Sequence, residues 1–127
     1  LTRDWANAME EPIHLIVPDG NWRQAKRMIY REPKLANLTR VTLPQGPPSR
    51  YRLRHHHNPG HISTFEAIIR TLAVLERPSL ELTLERYFDY FVERSLWARG
   101  DLPAEAVTGG IPAAAFKPVS VGSPTLD

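Results

Sequence analysis

In Ile13-His14-Leu15-Ile16-Val17-Pro18-Asp19-Gly20-Asn21-Trp22-Arg23-Gln24-Ala25-Lys26-Arg27 a short apolar run ends in Pro-Asp-Gly, and a basic helical pattern starts at once. An α/β protein sets a carboxylate at the carboxyl end of a strand in this way, beside a helix amino terminus, where ligands gather. Residues 13–17 are apolar apart from His14, as expected of a strand in a parallel sheet covered on both faces. The expected fold class is therefore α/β, a mostly parallel sheet with flanking helices. The Trp and the cations Arg23, Lys26, Arg27 and Arg31 that follow Asp19 point to a site handling a polyanion.

The rest of the chain extends this pattern. Asn21 or a neighbour caps a helix to about Glu32, stopped by Pro33, with Trp22, Ala25, Met28 and Ile29 on one face. Residues 1–12 form an amphipathic, helix-like segment, and residues 34–39 a turn or short helix. Residues 40–43 and 51–54 supply two further strands. Ser63 and Glu66 have capping-box spacing and open the clearest helix, which Pro78 ends. A last helix starts at Ser79 or a neighbour and runs to about Ala98, with Leu80, Leu84, Tyr87, Phe88, Phe91 and Val92 inward. Residues 1–99 read as one domain. From Gly100 to Asp127, Pro, Ala, Gly and Ser dominate without periodicity, as in a flexible tail.

Composition narrows the classes. A chain of 127 residues with 42% hydrophobic and 24% charged side chains is a single globular domain in size and character. No apolar run approaches the roughly 20 residues of a membrane span. With no Cys there is no disulfide framework and no thiolate metal site, so a cytoplasmic protein is the expectation. Leu1-Thr2-Arg3-Asp4-Trp5 reads like the middle of a longer sequence.

The net charge of +2 hides an asymmetry: residues 19–70 hold ten Lys or Arg against three acids, residues 71–127 five against eight. Concentrated positive charge beside acidic flanks is the footprint of a nucleic-acid face, and also of a solvated Arg-rich surface. Arg50, Arg52 and Arg54 alternate, so in an extended segment all three share one side, an arrangement suited to phosphates or a carboxylate. Asp19 has the chemistry of a general base, an acceptor, a metal ligand or a helix cap. Trp22 suits a helix core or a stacking platform. The run His55-His56-His57 with His61 has ligand chemistry. Consecutive residues point in different directions, however, and no carboxylate is spaced to complete a site. The reading favours a polar or phosphate-touching loop and no metal site.

Asp19-Gly20-Asn21-Trp22, followed by Arg23-Gln24-Ala25-Lys26, resembles the Asp-x-Thr-Trp signature of the DTW-domain family. The similarity continues through Val41-Thr42-Leu43-Pro44, Ser49-Arg50-Tyr51-Arg52-Leu53-Arg54 and Ile62-Ser63-Thr64-Phe65-Glu66-Ala67, in order, along roughly residues 13–95. Asn21 stands where the signature has Thr, keeping an acceptor and a helix cap without the hydroxyl. Family members also carry a Cys-rich, zinc-binding type of segment upstream of the Asp motif, whereas this chain has about a dozen Cys-free residues there. A missing upstream segment or a homodimer is the expectation for covering the edge of so small a sheet.

The resemblance implies a SPOUT-like fold with a carboxy-terminal knot, S-adenosylmethionine as donor and tRNA as partner. The implied activity is transfer of the 3-amino-3-carboxypropyl group to uridine N3 with release of methylthioadenosine. Asp19, Asn21 and Trp22 would be catalytic. Leu43, Arg52, Arg54, Ser63, Thr64 and Glu66 would hold the donor, and Arg23, Lys26, Arg27 and Arg50 would follow the RNA backbone. Alternatives are a non-catalytic RNA-binding module and an S-adenosylmethionine-dependent RNA methyltransferase, with a metal-dependent hydrolase using Asp19 and the His cluster last.

Overall fold

The computed structural model describes residues 1–54 and 60–116; the His55-His56-His57 run and the last eleven residues lie outside the described residues. Five α-helices follow in order: α1 (Arg3–Asn7), α2 (Trp22–Arg31), α3 (Pro33–Ala36), α4 (Thr64–Leu75) and α5 (Ser79–Ala98). Two short 3-10 turns, Ala104–Ala106 and Ala113–Phe116, come after them.

Local chemistry sets the helix ends. The Asn21 side chain accepts from the Gln24 N–H, and the Gln24 side chain accepts from the Asn21 N–H, both at 2.9 Å. Ser63 and Glu66 do the same for α4. Pro33 sits in the first turn of α3, where its missing N–H costs nothing. At the far end of α4, Arg3 donates to the carbonyls of Ala73 (3.1 Å), Leu75 (2.8 Å) and Glu76, taking up carbonyls the helix leaves without partners.

The core is the α4–α5 hairpin. Ile69, Phe88 and Val92 are buried together, with Tyr51, Leu53, Leu84 and Leu96 packed around them. Phe88 stacks against both Phe65 and Tyr51, at ring-centroid separations of 5.5 and 6.1 Å. Val107 is also buried, so residues beyond Gly100 contribute to the interior. Tyr87 and Phe91, expected inward, are 62% and 57% exposed. They lie beside the Phe88–Val92 stripe rather than on it.

The expectation of an α/β sheet is overturned, because the described residues contain helices and no strand. Segments 13–17 and 40–43 lack regular structure, and residues 52–54 form a turn. A strand exists only when a neighbour takes up its backbone donors and acceptors, and no described segment pairs in that way. Ile13, Leu15 and Ile16 remain partly exposed as a result. The alternation of residues 50–54 nevertheless sorts the side chains as read. Arg50, Arg52 and Arg54 are exposed while Tyr51 and Leu53 turn inward, with helix α5 as the apolar partner in place of a second strand. With no sheet among the described residues, the SPOUT-like architecture and its carboxy-terminal knot are withdrawn.

The hairpin core predicts a sharp contrast between two apolar substitutions. Ile69→Ala, at a position 1% exposed, is expected to cost about 2–5 kcal/mol. Leu82→Ala, 75% exposed, should stay within about 0.5 kcal/mol of the parent. Urea unfolding with an unchanged m-value checks both; equal midpoints for the two variants would place the core elsewhere.

Candidate functional site

The two segments that open α2 and α4 meet in space. Thr64 donates its hydroxyl to Asp19 Oδ1 at 2.7 Å, across 45 residues of sequence. Alongside, the indole of Trp22 stacks on the imidazole of His61, with centroids 4.1 Å apart and planes 20° apart. Gly20 makes the entry to α2 possible, since its φ of +149° lies where side-chain-bearing residues are strained. Asp19 is exposed, and its second oxygen has no partner among the described residues. Trp22 is 58% exposed despite the stack, which leaves much of the indole open.

Behind this pair lies Glu66, only 5% exposed. Its carboxylate accepts from the Arg50 N–H (2.6 Å), the Ser49 hydroxyl (2.7 Å), and the Ser63 N–H and hydroxyl (both 2.8 Å). Burial by itself would push the carboxyl pKa up. The hydrogen bonds from the Ser63 N–H, the Ser49 hydroxyl, the Arg50 N–H and the Ser63 hydroxyl outweigh it and hold the pKa below its ordinary value of 4.5. Glu66 therefore fastens residues 49–50 to the start of α4 and has its acceptor capacity filled from within the protein.

The three alternating arginines part company. Arg50 pairs with Glu85 (3.2 Å) and with Asp89, and Arg52 pairs with Glu93 (3.2 Å), all three acids lying on α5. Glu93 also accepts from the Thr108 N–H at 2.6 Å. Burial would raise the Glu93 pKa, but the Thr108 hydrogen bonds and the Arg52 charge bring it down overall. Arg54 has no acidic partner among the described residues, and neither do Arg23, Lys26 and Arg27 on α2.

The structure thus brings Asp19, Asn21, Trp22, Ser63, Thr64 and Glu66 to one place. It sets Arg23, Lys26 and Arg27 on the adjoining helix and turns Arg50 and Arg52 toward α5. Leu43 is half-buried in the irregular 39–46 stretch and makes none of the links described. Sequence reasoning missed the partners: His61 under Trp22, Ser49 on Glu66, and the acids of α5. The last were legible, since Glu81, Glu85, Asp89 and Glu93 recur every four residues and so form one stripe along the helix. Among the described residues no group of His, Cys, Asp and Glu is arranged to hold a metal ion, and no helix is long and apolar enough to cross a membrane.

The DTW domain matches residues 2–96. A Drosophila melanogaster protein called tRNA-uridine aminocarboxypropyltransferase 2 is 41% identical over 76 residues, covering 59% of this chain and 30% of that relative. The matched part of the chain therefore spans under a third of the curated relative's length. No solved structure matches.

Glu66 makes stability at this site depend on pH with a definite sign. Its folded pKa is depressed, so the stabilisation is complete above the unfolded value and disappears as pH falls through the folded one. Glu66→Gln is expected to cost about 1.5–3 kcal/mol near neutral pH, the scale of a charge-assisted hydrogen bond. The difference from the parent should narrow below about pH 4.5. Denaturant unfolding of both proteins across pH reads this directly, and a gap that widens toward acid would reverse the assignment.

Proposed function

Because the chain belongs to the DTW-domain family, we propose that it transfers the 3-amino-3-carboxypropyl group of S-adenosylmethionine to N3 of a uridine in tRNA. The observation that carries this reading is the Asp19–Thr64 hydrogen bond, which joins the two separated signature segments into one site. The relative's name supplies the reaction class. The donor supplies an electrophilic carbon attached to a sulfonium, and the rest of the task is positioning and proton removal.

Asp19 is the group that takes the N3 proton, with Thr64 holding Oδ1 and Oδ2 left for the substrate. As that proton leaves, the N3–C bond forms and the C–S bond breaks. The electron pair goes to sulfur, so methylthioadenosine departs as a neutral thioether. Trp22, backed by His61, offers its open face to the unstacked uracil.

The residues present fit the donor. Its carboxylate needs N–H or cationic partners. The Thr64 and Phe65 N–H groups at the start of α4 have no acceptor among the described residues, and the Arg54 guanidinium has no acidic partner there. Arg23, Lys26 and Arg27 follow the RNA backbone. In this reading Glu66 is a positioning residue, because its acceptors are filled by Ser49, Arg50 and Ser63.

A second reading, a non-catalytic RNA-binding module, draws support from Arg50 and Arg52. The ion pairs with α5 occupy two of the cations expected to serve RNA and donor. One experiment separates the readings: incubation with S-adenosylmethionine and unmodified tRNA, followed by mass spectrometry of nucleosides and small products. The expected result is an aminocarboxypropyl uridine with methylthioadenosine, and a loss of roughly 10²–10⁴-fold in Asp19→Ala. Release of S-adenosylhomocysteine would assign methyl transfer instead. RNA binding without calorimetric binding of the donor would leave the binding module. Full activity in Asp19→Ala would remove Asp19 from its role.

A further inference from the structure

Helix α5 sorts its side chains into stripes. Glu81, Glu85, Asp89 and Glu93 recur every four residues, and the last three of them are taken up by Arg50, Arg52 and the Thr108 N–H. Another stripe reads Arg86, Tyr90, Arg94, and beside it stand Tyr87 and Phe91. Tyr87, Tyr90, Phe91, Arg94, Ser95 and Ala98 line an open groove of about 500 Å³. The lining holds a cation and no carboxylate. Tyr87 and Phe91 expose 62% and 57% of their surface there, an unusual use of large aromatics unless something covers them.

The groove has a stiff wall. Arg86 donates to the Tyr90 hydroxyl at 2.7 Å, and Arg86 and Arg94 lie over the Tyr90 ring at 5.8 and 5.5 Å from its centroid. Tyr87 meets Tyr90 edge-on at 6.2 Å. Gly109 lies so close that a Cβ there would come within 2.9 Å of the Tyr90 ring. Arg94 is in turn anchored on the Gly110 carbonyl at 3.3 Å.

We propose that this outer face of α5 is a second RNA-contact site, on which an unpaired nucleotide of the bound RNA stacks against Tyr87 and Phe91, with Arg86 and Arg94 facing its phosphates. The choice of partner follows from charge. Aromatic faces interleaved with guanidiniums, with Glu85, Asp89 and Glu93 of the same helix held by other partners, suit a single-stranded polyanion with planar bases. The groove occupies the carboxy-terminal half of α5, and Phe88, at the middle of that helix, is stacked on Phe65 at the start of α4. The start of α4, which holds Asp19 through Thr64 and Phe88 through Phe65, is thus the element that links the two places. The proposal rests on the reading of this chain as one that acts on RNA, and it adds where a base outside the reacting position is held.

The test measures binding of a short oligouridylate and of an RNA duplex to three proteins: the parent, Tyr87→Ala/Phe91→Ala, and Arg23→Glu/Lys26→Glu/Arg27→Glu. Circular dichroism checks that the exposed substitutions leave the helices intact. The aromatic pair variant is expected to lose about tenfold or more in affinity for the oligouridylate, with little change for the duplex. The α2 variant should lose affinity for both RNAs. Ultraviolet crosslinking of the parent should attach uridine to the peptide containing Tyr87 and Phe91. If the parent binds both RNAs and the aromatic pair variant binds them equally well, the groove assignment falls and the RNA reading stands. A parent that binds neither RNA overturns both. Self-association lost in the aromatic pair variant, with RNA binding unchanged, would give the face to a second copy of the chain and overturn the proposal.

Discussion

Glu66 carries a charge into the interior beside the start of α4, where its carboxylate is tolerable only because four donors converge on it. Two of those donors come from residues 49–50 and two from Ser63, so the carboxylate ties together stretches of chain that have no ladder to join them. The network extends one step further. Ser49 Oγ accepts from the Tyr51 N–H, and Ser63 Oγ accepts from the Glu66 N–H. Each hydroxyl thus both gives and receives, which strengthens the set as a unit. Once residues 49–51 are fixed, Tyr51 lies on Phe88 and Arg50 reaches Glu85 and Asp89. Once the start of α4 is fixed, Thr64 is in place for Asp19.

What was legible in the sequence is what local chemistry decides. The Ser63–Glu66 capping box, the helix cap near Asn21, the Pro33 stop and the extents of α2, α4 and α5 follow from residues within one turn of each other, so spacing reveals them. The convergence of the Asp19 and Thr64 segments came from the family resemblance, since nothing local relates residues 45 positions apart. The sheet failed for a related reason. The apolar run at 13–17 and the alternation at 50–54 report which side chains avoid water, but they do not say what covers them. At 50–54 the cover is helix α5, and a two-residue period against a helix looks the same in sequence as against a sheet. The inward assignment of Tyr87 and Phe91 failed more simply: a stripe drawn wide enough to include every aromatic on α5 exceeds the arc that α4 and residues 51–53 can bury.

The charge asymmetry also changes meaning in three dimensions. The excess of cations in residues 19–70 reads as a nucleic-acid face or a solvated Arg-rich surface. Ion pairing divides it: Arg50 and Arg52 sit against α5 acids, while Arg23, Lys26 and Arg27 keep their charge on α2. Exposed pairs of this kind contribute little stability each, so their main effect is on where positive potential remains. That potential lies on α2, next to Asp19, and on the Arg86–Arg94 edge of α5.

Helix α2 packs mainly on α3, whereas α4 packs on α5 and α1 on α4. Ala25 and Ile29 are half-buried on α2, and no residue of that helix is fully buried. The two links described between the start of α2 and the start of α4 are the Asp19–Thr64 hydrogen bond and the Trp22–His61 stack, and both lie within the candidate site. A polyanion that loads the α2 cations therefore acts on the same contacts that place the carboxylate and the stacking surface. Binding and positioning are joined there by geometry, with no longer relay needed between them.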